Sequence, residues 1–568
     1  MTAEQSGLAV SRRAFLQGLG LTTAATAAHH FIAHADEPRP PPPLAEPHAP
    51  LSAPSAAVVA LNRMAFGPRP GDVAAFNALG ATDEERTAAY VEQQLNPIPA
   101  EDTELNGRLA AIGFQTLGKT QTEMWIDHYR NPSAGDYVWQ TLPIRETERA
   151  TFVRALYSKW QLAEVMADFW HNHFNIYGWD FPLRSFFVQY DRDVIRAHLF
   201  GNFRQMLEAV AKSPAMLFYL DNESSTRAGP NENWARELFE LHGLGAENYK
   251  GVRPQNSIAP DPDDPAFPLG YVDEDVYEAT RCFTGWTVNY RAADGDTGEF
   301  IYLDANHDRF QKSVLNFGQI NFPSDQAPLQ DGLAVLDLIA NHPGTARYIC
   351  RKLCIRLIAD TPPESLVQSA AQIFRAQREA PDQIKQVLRH ILNSAEFRSI
   401  WGEKVKRPFE ALVAAMRAGN ADWNVDFGTD SNSLVNQYNQ MGQPLFSWGP
   451  PNGYPDSRTA WESTTPMVMR WRLFNWLVNL RDVNLVYYLP VLDDTPPTVR
   501  SANVLVDFWT ERLLGRAPDN DARQILVNFM AQTSDPDVDL VIVPEDGIHG
   551  RLRTLVALIL QSPDFNQR

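Results

Sequence analysis

Cysteine is nearly missing from this chain, with Cys282, Cys350 and Cys354 the only three in 568 residues. A count so sparse and odd argues against a disulfide framework. Cys350 and Cys354 stand one helical turn apart in a predicted helix with no His cluster around them, so they read as two core thiols rather than a zinc site. Positive charge is also short. Against 69 Asp and Glu there are 50 Lys and Arg, giving a formal charge of −19, and no basic stripe runs along the sequence. Non-specific nucleic-acid binding needs a basic footprint, so no nucleic-acid partner is expected. No apolar run is long enough for a stable membrane span. Also missing are a G-x-S-x-G elbow, a phosphate-binding loop, an H-E-x-x-H helix and a dinucleotide fingerprint.

What is there describes an ordinary globular protein, 44% hydrophobic and 21% charged. The 14 Trp residues suit either sugar stacking or core packing. Near the start, Ser11-Arg-Arg-Ala-Phe-Leu-Gln17 has the form of a twin-arginine export motif. A mildly apolar stretch from Gly18 to Ile32 follows, and Ala33-His-Ala35 offers a cleavage site. Residues 1–35 are therefore expected to be removed on export to the periplasm or beyond. That route moves proteins already folded, which favours a bound cofactor without requiring one. Residues 36–54 are Pro-rich and read as a stiff spacer.

From residue 55 to 568 the periodicity is overwhelmingly helical, so the expected fold is mainly α, a large multi-helix globular domain. Ile384, Val387, Leu388, Ile391 and Leu392 follow the helical template. A small β-hairpin insertion is expected around 286–325, where Trp286-Thr-Val-Asn-Tyr290 and Gly298-Glu-Phe-Ile-Tyr-Leu303 stand among scattered Gly and Asp.

Two predicted helices carry the chemistry. One, over 147–175, puts Glu164, Asp168, His171 and Asn175 on a single face at spacings of four, three and four. Asp168 and His171 resemble in spacing the Glu-x-x-His pairs that hold metals inside helical bundles. His173 points away from His171 unless the helix ends early. The other helix is Asn231-Glu-Asn-Trp-Ala-Arg-Glu-Leu-Phe-Glu-Leu-His242, closed by Gly243, with Asn233, Arg236, Glu237 and Glu240 on one face. Those residues suit a metal or acid–base site, or else a solvated face with Arg236 and Glu240 paired. His242, in the last turn, reads as a C-terminal cap. The Trp448-Gly-Pro-Pro-Asn-Gly-Tyr-Pro455 loop either offers Trp448 and Tyr454 to a sugar ring or packs them against its own prolines.

The 231–242 helix, followed by Glu274-Asp-Val-Tyr-Glu-Ala-Thr-Arg-Cys-Phe-Thr-Gly-Trp286, resembles the bacterial family called domain of unknown function 1800. Leu61-Asn-Arg-Met-Ala-Phe-Gly-Pro68, Phe169-Trp-His-Asn-His-Phe174, Lys406-Arg-Pro-Phe-Glu410 and Gly442-Gln-Pro-Leu-Phe446 fit it in the same order. Trp234 stands where that family usually has Tyr, and the usual Gly between His307-Asp308 and Lys312 is missing. The resemblance implies an exported, mainly helical protein, often found beside an exported sulfatase-like family. It implies no reaction.

Two functions follow as expectations. In the first, an exported enzyme holds a divalent metal on Asp168, His171 and Glu237, with Arg236 and Glu240 as catalytic groups, and acts on an envelope or extracellular polymer. In the second, the chain is a non-catalytic binding or assembly partner of a sulfatase-like protein or a polysaccharide, and the same residues form a core network. The enzyme expects Glu237→Gln to leave folding intact and remove activity. The network expects that change to cost ~1–3 kcal/mol for a lost buried partner.

Overall fold

Helices make up about 57% of the protein, and the only sheet among the described residues has two strands. The computed structural model describes residues 54–130, 137–291, 295–425, 433–482, 486–543 and 547–568. The expected export signal and all of the spacer but its last residue lie outside them. No helix among the described residues is long and apolar enough to cross a membrane.

The helix expected over 147–175 is two helices, α1 (Tyr137–Tyr157) and α2 (Gln161–His173). Side chains at Ser158 and Gln161 make the break. Ser158 Oγ donates to Asp102 at 2.6 Å and accepts from the Trp160 amide, while the Gln161 amide donates to the carbonyls of Ala155 and Ser158. Carbonyls that a continuous helix would satisfy internally are thus satisfied from outside it. The segment 184–199 is a chain of short turns that includes a π-helical stretch, Tyr190–Ile195.

α2 stands between two hydrophobic cores. Leu162, Met166, Phe169 and Trp170 join one of them, and Val165 joins the other. Its partners include α5 (Pro343–Leu357), which opens on Pro343 and buries the free thiols Cys350 and Cys354, and α6 (Pro408–Ala418).

The 231–243 helix begins as α3 (Asn233–Glu237), widens into a π-helical turn over Leu238–His242, and packs on α4 (Asp273–Cys282). Gly243 closes it for a steric reason, since a Cβ there would lie 2.5 Å from Ile339 Cγ2. In the hairpin, β1 (Trp286–Val288) pairs antiparallel with β2 (Phe300–Tyr302), Trp286 opposite Tyr302. Among the described residues of 286–325 only these six are strand.

Candidate functional site

Glu164, Asp168 and His171 on α2, with Asn175 just beyond its end, line one cavity, as their spacing predicts. The cavity measures about 40 Å³, room for a few water molecules rather than a substrate. Its charged walls are already paired with one another. Arg196 donates to both oxygens of Glu164 at 3.1 and 2.9 Å and to Asp191 at 2.9 and 3.0 Å. His171 Nε2 stands 2.9 Å from the same Asp191. Burial raises the Asp191 carboxyl, but Arg196, His171 and Arg154 outweigh it and hold the group below the usual range.

Asp168 belongs to a second network. Its Oδ2 accepts from Arg356 on α5 at 3.0 Å and from Arg407. Both arginines also reach Glu410 on α6, which Arg568 approaches at 3.2 Å. Burial raises Glu410, yet those three guanidinium groups keep it well below its ordinary value. A carboxylate so placed is fully ionised and fully occupied.

The expected metal set therefore does not assemble. Among the described residues no group of three or more His, Cys, Asp or Glu side chains stands close enough to hold a metal ion. At Asp168 the reason is plain, because a divalent cation would face Arg356 and Arg407 at the oxygen it needed. Asp168, His171 and Glu237, as placed, do not form a metal site.

Glu237 and Glu240 lie on α3 and its continuation, away from Asp168. Arg236 approaches Glu240 at 3.5 Å, Glu232 at 3.3 Å and Asp273 at 3.5 Å, the half-exposed pairing of a solvated face. Glu237 is different. No hydrogen bond or ion pair reaches it among the described residues, and burial, then Glu240, pushes its carboxyl up to about 7.

The two helices do meet, on the face opposite to the expected one. His173 Nε2 donates to the His242 carbonyl at 3.2 Å, and its Nδ1 accepts from Lys352 Nζ on α5 at 3.0 Å. These partners fix one neutral tautomer. Burial, with Lys352 and His242 adding to it, pulls the His173 imidazole well below its ordinary value. His242 is no cap. It is fully buried against Phe174 and Trp234, both ring nitrogens are without a partner among the described residues, and burial and then Lys352 pull it down to about 3.

Lys352 and His173 open onto a larger cleft, about 280 Å³, walled on its far side by the 452–457 loop. The Asn172 side chain ties this loop to α2, donating to the Tyr454 carbonyl at 2.8 Å and accepting from the Tyr454 amide at 2.7 Å. Gly453 makes the approach possible, because at φ +71° its Cβ would sit 2.1 Å from the Asn172 carbonyl oxygen. Trp448 and Tyr454 pack together at 4.7 Å between ring centroids. Strongly shifted ionisable groups gathered in a cleft mark a functional candidate. Here they are His173 and Lys352, with His242 buried against His173.

A family model covers residues 59–567, under the description "Protein of unknown function (DUF1800)". The chain belongs to that family. No curated protein and no solved structure matches it. Membership thus confirms the family resemblance and leaves the site to be argued from its own chemistry.

Sequence reasoning missed Lys352, Asp191 and Arg356. Lys352 had a signal, since it stands three residues after Ile349 and four before Arg356, both buried on the same helix. Asp191 and Arg356 had none, because a charge paired across the fold leaves no local trace.

Proposed function

We propose that this family member is an exported, non-catalytic binding protein that holds a polysaccharide or a sulfatase-like exported partner, and that the polar face of α2 is its internal framework. The pairing of Asp168 with Arg356 and Arg407 carries this reading, for the best metal-ligand candidate on that face is already neutralised. Buried ion networks of this kind fix geometry more than they add stability. The Trp448–Tyr454 pair beside a roomy cleft favours a sugar over a protein surface. Export rests on the Ser11–Gln17 motif. The test is retention of mature protein on immobilised polysaccharides in the presence of EDTA. Specific retention, released by soluble polymer, is expected. No retention on any polymer, together with no capture by a co-expressed sulfatase-like protein, contradicts it.

One observation favours a second reading, an exported enzyme acting on an envelope or extracellular polymer. Glu237, unpartnered and titrating near neutrality one turn from Glu240, has the properties of a general acid or base. In this reading Glu237 moves the proton, and Arg236 orients Glu240. Polymer cleavage that disappears in Glu237→Gln would replace the first reading with this one.

A further inference from the structure

Lys352 is a cation without an anion. Its ammonium has three N–H donors, of which one goes to the neutral His173 imidazole at 3.0 Å, and the Tyr348 ring lies 5.5 Å away. No carboxylate reaches it within ion-pair distance among the described residues. The cleft it faces does hold two carboxylates, Asp360 and Asp456, but Lys404 takes both, at 2.6 and 3.2 Å. Both carboxylates of the cleft are thus paired elsewhere, and Lys352 is left without one of its own.

The cleft's shape and lining narrow what could complete it. Phe169, Ile355 and Pro455 give apolar walls, while Asn452 and Ser457 supply polar groups at the rim. A volume of about 280 Å³ suits one ring-sized unit rather than a folded partner. Lysine offers a point charge rather than a planar fork, so it selects one anionic group without demanding bidentate geometry. Asp360 and Asp456 nearby would repel a dianion, and the formal charge of −19 disfavours a densely charged polymer.

We propose that this cleft binds a monoanionic sugar unit, a uronate or a sugar sulfate ester, with the Lys352 ammonium taking the anionic group and the walls taking the ring. This rests on the polysaccharide-binding reading and names the chemistry of its ligand. Burial holds the Lys352 ammonium down to about 8, against the opposing pull of Asp456 and Glu247. The other groups facing it, His173 and His242, are neutral throughout the working range. Affinity should therefore fall as pH rises through about 8 to 9.

The experiment is a titration of full-length mature protein with glucose, glucuronate and glucose 6-sulfate, followed by protein NMR at pH 6.5 and 9.5. Wild type should prefer at least one of the two anions over glucose by tenfold or more at pH 6.5, and whichever is tighter identifies the source. The preference should vanish in Lys352→Met, with the melting curve confirming that the variant is folded. If that variant does not fold, wild type decides alone, by losing its preference at pH 9.5. Equal affinity for glucose and both anions, or a preference that survives Lys352→Met or pH 9.5, overturns the proposal. Retention on polysaccharide, measured alongside, separates the two levels. Retention without any anion preference removes this inference and leaves the binding reading standing, whereas loss of retention removes both.

Discussion

Asp168 on α2 and Arg356 on α5 form an ion pair at 3.0 Å, with Arg356 itself 1% exposed. The contact decides how the polar face of α2 is understood. A carboxylate held by guanidinium groups in a buried network positions helices, and the same oxygen is not free to hold a metal.

Glu410 is the group this network can least afford to lose. Replacing it by Gln leaves Arg356, Arg407 and Arg568 facing one another. Glu410→Gln should cost ~3–5 kcal/mol, the usual penalty for breaking a buried pair. Glu240→Gln, at a half-exposed pair, should cost ~0–1 kcal/mol. Urea unfolding midpoints compare the two.

Glu237 should behave in the opposite way. Its folded value, about 7, lies above the ordinary 4.5, so the native state binds the extra proton between these limits. Stability from this group is present below about pH 4.5 and falls as pH rises to about 7. Glu237→Gln, which keeps the shape and removes the charge, should therefore stabilise the protein at pH 8 by ~2 kcal/mol after allowance for screening. It should leave stability at pH 4.5 unchanged. This reverses the sign that the core-network expectation gives, which supposes a buried partner for Glu237. Melting temperatures at the two pH values check it.

Asp191 supplies the acid limb. Its folded value is depressed, so its stabilisation is present above the ordinary carboxyl value of 3.8 and is lost as pH falls below it. Asp191→Asn should destabilise the protein at pH 7 and flatten the loss of stability between pH 4 and 2. Acid titration followed by circular dichroism measures both.

Gly453 tests the wall of the cleft. Gly453→Ala adds strain at φ +71° and drives a Cβ into the Asn172 carbonyl, at a cost of ~1–3 kcal/mol. The loop must move away from α2, so polysaccharide retention should weaken more than the melting temperature alone would explain.

Much of the fold was legible in the sequence because helical periodicity is local. Ile384, Val387, Leu388, Ile391 and Leu392, read as one helical face, are all buried on the helix Gln383–Leu392. The break at Ser158 was not, since it depends on Asp102, more than fifty residues earlier. The shared face of Glu164, Asp168, His171 and Asn175 was legible for the same reason as the helices. What fills that face was hidden, because Arg196, Arg356 and Arg407 come from other parts of the chain. The spacing of Asp168 and His171 suggested one metal, whereas each side chain turned to a different partner, Arg356 and Asp191. His173 gained its role only through Lys352, 179 residues away.

Metal content tests the central claim most directly. Mature protein would be purified without chelators or added metal, beside a His171→Ala/Glu237→Gln double variant, and both measured by elemental analysis. The account predicts well below one equivalent of any divalent metal in both, with polysaccharide retention intact in EDTA. Near-stoichiometric metal in the wild type, lost from a folded variant, would contradict it and restore a metal centre to α2 and α3.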